Sequence, residues 1–417
     1  MVSVTTFNSL AASASDSEAG SGPRSAIRLS GKSWTDRESQ NRGPDPVQNI
    51  LDRITNGLVD FGWNCGDQSM GHSNLRRSLI WKVLPFVLLT QIATLCLAQA
   101  KKSGSPEENP PHNIIQLTAF GERAVWSPDG KRIAFMSKSY GDAFEIDLKT
   151  RLIRLLTGRF HHEGFLRVHY LSNGDFFLIG AKKYTDVGTT RRRDQEMWLM
   201  KADAKTPPVP LDHKISEGVA VSRSRMKVAW SNTNDQYPDL LAPGESVIYT
   251  ADVIYKDGGP VLANKKEVVR STSRECTLEA QDFRSDDTQL IYTCYRAPHY
   301  ADVMGVDLNT NKITTYRKLA GEYNEVEGIS PDGRWTLVES SRDQGPDHQD
   351  SNHIDLWKLR LEPNSSDYVR MTRWGDYDGY KASNPVVSPD GKWFAFQSAR
   401  TNEAAGVGHG IFLFGLR

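Results

Sequence analysis

Four glutamates recur at one fixed place relative to a repeated hairpin turn, and carboxylates grouped in this way can hold cations. Each lies five residues before the first turn position, and together they are Glu122, Glu217, Glu279 and Glu325. If the repeats form a ring, equivalent positions converge on its axis. Either each glutamate forms an ion pair with a neighbouring link, or the four make an acidic ring for an organic cation or a divalent metal, Ca²⁺ or Mn²⁺.

Other residues with suitable chemistry fall in segments between the repeats. His299, His348 and His353 lie in expected loops, and histidine with carboxylates suits a divalent metal, although no pair has the helical spacing of a zinc motif. Arg192, in the basic run 191–193, either faces solvent or binds a carboxylate. We predict ligand binding at the glutamates, Arg192 and His299, and metal binding at His348 and His353.

The elements that position these residues are repeated hairpins. The clearest turns are Ser-Pro-Asp-Gly at 127–130, 330–333 and 388–391, each followed by an apolar strand. Proline fixes φ, aspartate bonds its own backbone and glycine accepts positive φ, so the tetrapeptide closes a hairpin. Degenerate copies begin at Leu171, Ser222 and Arg284, which gives six units at roughly 50-residue spacing.

This repeat resembles the Pro-Asp, WD40-like propeller repeat of the TolB family, which also occurs in the propellers of prolyl-oligopeptidase-type peptidases. The resemblance covers residues 112–417 and is strongest in the first and last units. It implies an all-β fold, a six-bladed β-propeller with four-stranded blades. The last unit lacks a fourth strand, whereas residues 113–118 copy the fourth-strand pattern before the first unit begins, so we predict that this N-terminal strand closes the ring.

The residues before the propeller have a different character. Residues 1–69 are rich in Ser, Gly, Asn and Asp and are predicted to be disordered or an over-extended gene start. Residues 70–100 have the basic start, apolar core and Ala-Gln-Ala end of a signal peptide, too short to span a bilayer. We therefore expect cleavage after Ala100, a linker at 101–111, a periplasmic or secreted protein, and membrane contact only through the transient leader.

Composition limits the partners. The chain of 417 residues carries 51 basic and 51 acidic side chains, so no nucleic-acid partner is expected. We expect a monomer. Among four cysteines, Cys276 and Cys294 flank the turn of the fourth blade almost symmetrically, and we predict a disulfide between them.

Two functions are consistent with these features. The TolB resemblance, together with the absence of a Gly-x-Ser-x-Gly motif, favours a binding module for a protein or a glycan at the mouth that carries the long loops. The alternative is a metal-assisted polysaccharide lyase, or another carbohydrate-active enzyme, acting on an acidic glycan. In that enzyme His348, Gln349 and His353 would bind the metal and Arg192 the substrate carboxylate.

Overall fold

The computed structural model describes residues 101–416 except 273, 275, 285, 297, 298, 404 and 405. The predicted N-terminal extension, 1–69, and the predicted leader, 70–100, lie outside the described residues. No helix in the described part is long and apolar enough to cross a membrane.

Twenty-four strands form six antiparallel sheets of four strands each. Blade one contains β2 (Glu122–Trp126), β3 (Arg132–Met136), β4 (Ala143–Asp147) and β5 (Ile153–Leu155). Blade two contains β6 (Phe165–Tyr170), β7 (Phe176–Ala181), β8 (Gln195–Met200) and β9 (Val209–Lys214). Blade three contains β10 (Val219–Val221), β11 (Lys227–Thr233), β12 (Ser246–Lys256) and β13 (Gly259–Ser271).

The second half of the ring repeats this order. Blade four contains β14 (Thr277–Phe283), β15 (Gln289–Arg296), β16 (Tyr300–Asp307) and β17 (Ile313–Arg317). Blade five contains β18 (Asn324–Ile329), β19 (Trp335–Ser340), β20 (Asp355–Arg360) and β21 (Tyr368–Arg370). Blade six contains β22 (Tyr380–Val387), β23 (Trp393–Arg400), β24 (Ile411–Gly415) and β1 (Ile114–Gln116). Short helical segments occur at Val187–Thr189, Thr190–Asp194 and Trp374–Asp376.

The N-terminal strand closes the ring, which confirms that prediction. Ile114 pairs with Phe414 and Gln116 with Phe412, antiparallel to the last strand of the chain. Ile114 is buried against these phenylalanines in the core of blade six. The pairing gives β24 a partner along its outer edge and joins the first strand of the fold to the last.

The Ser-Pro-Asp-Gly turns have the bonding that their sequence predicts. Ser127 Oγ donates to Asp129 Oδ1 across 2.6 Å, and Gly130 N–H donates to the carbonyl of Ser127. Gly130 has φ +68°, a conformation that glycine adopts without a steric penalty. The same short bond from serine to aspartate recurs in the turns that begin at Ser330 and Ser388.

A hydrogen bond between blades repeats around the ring and fixes the innermost strands. The positions are counted from the first residue of each turn. In four blades, the backbone N–H of the residue four positions before it donates to the side chain nine positions after the first turn residue of the preceding blade. The pairs are Arg123 with Gln397, Ala280 with Ser231, Val326 with Thr293, and Asn384 with Glu339, at 2.5–3.1 Å. In blades one and two the acceptor position holds Met136 and Gly180, which have no polar side-chain atom.

Residues 101–111, predicted to be a linker, contact the ring. Lys102 N–H donates to the carbonyl of Asp376 at 2.7 Å. Glu107 forms a two-pronged pair with Arg400 at 2.9 and 3.0 Å. This segment is therefore held against blade six and the link that precedes it.

The two predicted disulfide partners are joined, although not as directly opposed residues. Their Cα atoms are 5.1 Å apart, within the usual range for a disulfide. The residue opposite Cys294 is Leu278, and Cys276 lies two positions before it, just outside β14. The strands pair from Phe283 and Leu290, so the hairpin is centred after Asp286 rather than between Ser285 and Asp286, and equal distance from 285 and 286 did not give the correct pairing.

Candidate functional site: a charged cavity at the loop mouth

The four glutamates identified from the repeat line one cavity at the end of the channel that carries the long loops. Glu122, Glu279 and Glu325 lie on the innermost strands of blades one, four and five, and Glu217 immediately precedes that of blade three. The Ser-Pro-Asp-Gly turns lie at the other end. The structure thus brings these four side chains together.

One half of the cavity holds three arginines around one carboxylate. Glu217 Oε1 accepts hydrogen bonds from Arg123 at 2.8 Å and from Arg167 at 3.3 Å, and Glu217 Oε2 contacts Arg191. Arg123 also donates to Glu122 Oε1 at 2.5 Å. Arg123 and Glu122 are almost completely buried, so loss of Arg123 would leave the charge of Glu122 unpaired, which typically costs about 3–5 kcal/mol.

Of the basic run, the structure places Arg191 in the cavity lining and not the predicted Arg192. Arg191 lines the cavity, whereas Arg192 is exposed and does not. Both lie in the short helical segment Thr190–Asp194, where neighbouring side chains point in different directions. The basic run at 191–193 identified the loop that reaches the cavity, but the local backbone conformation decides which of the three arginine side chains lines it.

The opposite half is rich in carboxylates. Tyr295 donates its hydroxyl hydrogen to Glu325 Oε1 at 2.5 Å, and Tyr323 donates to Glu325 Oε2. One oxygen each of Glu325, Glu327 and Glu339 lies within 4.8 Å of the others, and among the described residues this group could hold a metal ion. Its all-oxygen donor set is the kind that hard cations such as Ca²⁺ and Mn²⁺ prefer.

Burial and mutual repulsion raise the pKa values of these carboxyl groups. The pKa of Glu279 rises to about 7, chiefly through burial and then through the nearby charge of Glu325. The pKa of Glu339 rises to about 8 for the same two reasons. That of Glu327 also lies well above its usual range, and burial lowers the pKa of Lys381 on the facing strand. The carboxylate half therefore retains protons near neutral pH unless a cation replaces them.

Carboxyl groups outnumber basic side chains in the cavity. At the rim, Arg400 contacts Glu107 and Glu403 contacts His409. Apart from these, five glutamates and four basic side chains line the cavity. Glu327, which lies close to Glu325 and Glu339, is a sixth glutamate beside the lining. In addition, Glu122 Oε2 is buried and has no hydrogen-bond partner among the described residues. A buried carboxylate oxygen without a hydrogen-bond partner lowers the stability of the fold, so a ligand that supplies a hydrogen-bond donor or a positive charge would stabilise this site.

The predicted histidines do not reach this cavity. His299 is exposed in a turn, and His348 and His353 stack on each other in the blade-five loop with ring centroids 3.9 Å apart. None of the three lines the cavity, whereas His409 does. His353 Nδ1 lies 3.0 Å from Asp350 Oδ1, an interaction within its own loop.

Reasoning from the sequence missed Glu327, Glu339, Tyr295, Tyr323 and Lys381. Glu339 had a detectable signal, because it lies nine residues after its turn, as Gln397 does in blade six. The tyrosines had no such signal. Tyr295 approaches Glu325 because blades four and five are neighbours in the ring, whereas Tyr323 lies two residues before Glu325 in the chain.

Comparisons with known proteins find the fold and no closer relationship. No protein-family model matches the chain, and no curated protein matches it. Among solved structures, a putative TolB from Agrobacterium tumefaciens is 17% identical with a TM-score of 0.37, covering 70% of this chain and 78% of its own. TolB from Acinetobacter baumannii is 11% identical with a TM-score of 0.41, covering 72% and 65%.

An oligogalacturonate lyase in complex with manganese is also similar, at 12% identity and a TM-score of 0.43, covering 72% of this chain and 79% of its own. Identities and TM-scores at this level carry no information about the site, whose chemistry rests on the residues of this chain. The chain is a six-bladed β-propeller with four-stranded blades.

Proposed function

We propose that this protein is an exported, TolB-like binding propeller whose loop-mouth cavity receives a cationic group of a protein or glycan ligand. The observation that carries the proposal is the excess of carboxyl groups in the cavity lining, five against four basic side chains away from the rim, with Glu327 beside Glu325 and Glu339 and with Glu122 Oε2 unpartnered among the described residues. A lysine or arginine side chain of a protein, or the ammonium of an amino sugar, would supply both a positive charge and hydrogen-bond donors.

The arginine half supports a cationic rather than an anionic ligand at this mouth. Three guanidinium groups already surround Glu217, so the position that an incoming carboxylate would take is filled from within the chain. Among the described residues, the glutamates of the carboxylate half form no ion pair, and the nearby Lys381 donates its Nζ hydrogen to the carbonyl of Ser351. A ligand cation would meet Glu325 and Glu339, where repulsion between carboxylates is greatest.

A divalent metal, Ca²⁺ or Mn²⁺, is the competing occupant of the same half. The oxygens of Glu325, Glu327 and Glu339 are close enough to share one ion. A metal and an organic cation would both relieve the repulsion, but only the metal depends on coordination geometry. The two are separated by titrating each alone.

The lyase alternative gains no support from the contacts of its candidate residues. Gln349 uses its amide to bond Ser341 and the carbonyl of Gly345, which stabilises its own loop. Gln349, His348, His353 and Arg192 are all absent from the cavity lining. A screen of uronic-acid polymers for the ultraviolet absorbance of an unsaturated product tests this alternative, and we expect no signal.

The binding proposal is tested by thermal melting with Ca²⁺, Mn²⁺, spermidine and a lysine-rich peptide, each titrated separately. The wild type should gain about 2.7 kcal/mol at a hundredfold excess of its preferred ligand over the dissociation constant. The double variant E325Q/E339Q should gain nothing. The control E362Q removes an exposed glutamate and should respond as the wild type does. Absence of any stabilisation, or an equal gain in the double variant, would refute the proposal.

A further inference from the structure

A second cavity opens at the other end of the channel, where the Ser-Pro-Asp-Gly turns lie. The innermost strands of all six blades contribute to its wall. Arg123 and Arg167 line both cavities, so they mark the boundary between the two halves of the channel. His169 and Arg223 line only the turn-side cavity.

Three buried nitrogen atoms at this boundary have no hydrogen-bond partner among the described residues. They are Nε of Arg123, Nε of Arg167 and Nε2 of His169. Arg123 is 5% exposed and Arg167 is 8% exposed, so bulk solvent does not satisfy these groups. Both terminal nitrogens of Arg123 and Nη2 of Arg167 already donate to Glu122 or Glu217, whereas neither Nε–H has an acceptor among the described residues.

The three nitrogens belong to neighbouring side chains. Arg123 and Arg167 donate to the same Oε1 atom of Glu217, so their guanidinium groups are adjacent. Arg167 and His169 are two residues apart on β6 and therefore lie on one face of the strand. Burial lowers the pKa of His169 to about 3, so its ring is neutral and can carry its hydrogen on Nε2.

Positive charge exceeds negative charge at this boundary. Arg123, Arg167 and Arg191 form ion pairs with only two carboxylates, Glu122 and Glu217. Glu327 also lines the turn-side cavity, but burial raises its pKa well above the usual range, so it retains its proton near neutral pH. At the turn end of this cavity, Arg223 donates to Asp282 Oδ2 at 3.1 Å and to the carbonyl of Ile329 at 2.6 Å. The excess positive charge and the unpartnered donors therefore both lie at Arg123 and Arg167.

We propose that a small oxyanion, carrying a carboxylate or phosphate group, binds in the turn-side half of the channel between Nε of Arg123, Nε of Arg167 and Nε2 of His169. Hydrogen bonds from guanidinium groups to an oxyanion are charge-assisted and are among the stronger ones in proteins. The site is separate from the proposed cation site at the loop mouth and does not depend on it.

Calorimetric titration of the purified protein with inorganic phosphate, with acetate and with chloride tests this site. The two oxyanions should compete for one saturable site, their relative affinities separating a phosphate from a carboxylate ligand, and chloride should bind more weakly. R167K keeps the charge but removes Nε, and should weaken binding about tenfold to a hundredfold. R223K, in the same cavity, should bind as the wild type does, because Arg223 is already engaged.

A second variant tests the site even if R167K does not fold. H169F replaces an unpartnered buried nitrogen with carbon, so it should keep the melting temperature of the anion-free protein while weakening oxyanion binding by a similar factor. Absence of saturable binding by the wild type would show that water alone occupies the boundary. Unchanged binding in R167K would show only general electrostatic attraction, and equal weakening in R223K would place the anion elsewhere in the turn-side cavity. Any of these results would overturn the proposal.

Discussion

The hydroxyl of Tyr295 on blade four donates a 2.5 Å hydrogen bond to Glu325 Oε1 on blade five. This bond crosses the gap between two blades at the centre of the carboxylate half. The charge of Glu325 helps to raise the pKa values of Glu279 and Glu339. The protonation of the cavity and the packing of the blades are therefore linked.

The first prediction concerns pH. The folded pKa values of Glu279, about 7, and Glu339, about 8, lie above the ordinary value of 4.5. Between pH 4.5 and 8 the folded protein therefore binds more protons than the unfolded chain, and the free energy of unfolding falls as pH rises. Each retained proton contributes a slope of about 1.4 kcal/mol per pH unit.

Urea unfolding at pH 5, 6.5 and 8 measures this slope. E339Q should flatten it, because the amide does not titrate, and its oxygen can still accept from the backbone N–H of Asn384. E362Q, at an exposed position, should keep the wild-type slope. The same slope in E339Q and the wild type would contradict the assignment.

The second prediction concerns ring closure. Ile114 is 5% exposed and packs against Phe412 and Phe414, whereas its neighbour Ile115 is 42% exposed. I114A should lower the free energy of unfolding by about 2–5 kcal/mol through lost burial and a residual cavity. I115A, in the same strand, should change it by less than about 1 kcal/mol. Denaturant titration of both variants decides, and equal effects would mean that the strand is not anchored as described.

The third prediction concerns the hydrogen bonds between blades. Val326 N–H donates to Thr293 Oγ1 at 3.1 Å, and Thr293 is fully buried. T293V has nearly the same shape but leaves that N–H unpaired, which should cost about 1–3 kcal/mol. T314V, on the outer strand of the same blade, should cost less than about 0.5 kcal/mol. If chemical denaturation gives the same stability for T293V and the wild type, this bond does not stabilise the ring.

The fourth prediction concerns the cysteines. Protein isolated after export should show no free thiol at positions 276 and 294 when denatured without reductant. A bond that closes a loop of this length stabilises by roughly 3 kcal/mol. The double variant C276S/C294S should therefore melt lower than the wild type, and reductant should not lower it further. Two free thiols in the exported wild type would contradict the bond.

The fifth prediction concerns processing. N-terminal sequencing of exported protein should begin near Lys101, because the basic, apolar and Ala-x-Ala segments of 70–100 follow the order of a signal peptide. Changing both Ala98 and Ala100 to Leu should block cleavage and retain the chain at the membrane, whereas changing Gln99 should not. Recovery of residues 1–69 in exported protein would refute the predicted cleavage.

The sequence alone determined the features that are local and repeated. Each turn specifies its hairpin through residues that contact one another within five positions, as Ser127 does with Asp129 and Gly130. Six such units, with one strand misplaced at the N-terminus, were enough to predict the ring and its closure. The symmetry of the repeat was then enough to predict that the four glutamates lie close together, because equivalent positions in a ring are arranged around one axis.

Only the tertiary structure decided what each of these glutamates contacts. Glu217 is held by arginines from blades one and two, and Glu325 by tyrosines on two different blades. Apart from Tyr323, which lies two residues before Glu325, these partners are far apart in sequence. Their side-chain directions depend on bulges and loop backbone that no local pattern specifies. For the same reason Arg191 rather than Arg192 lines the cavity. In blade five, the alignment on the turns predicted only Glu325, whereas Glu327 and Glu339 also lie close to it.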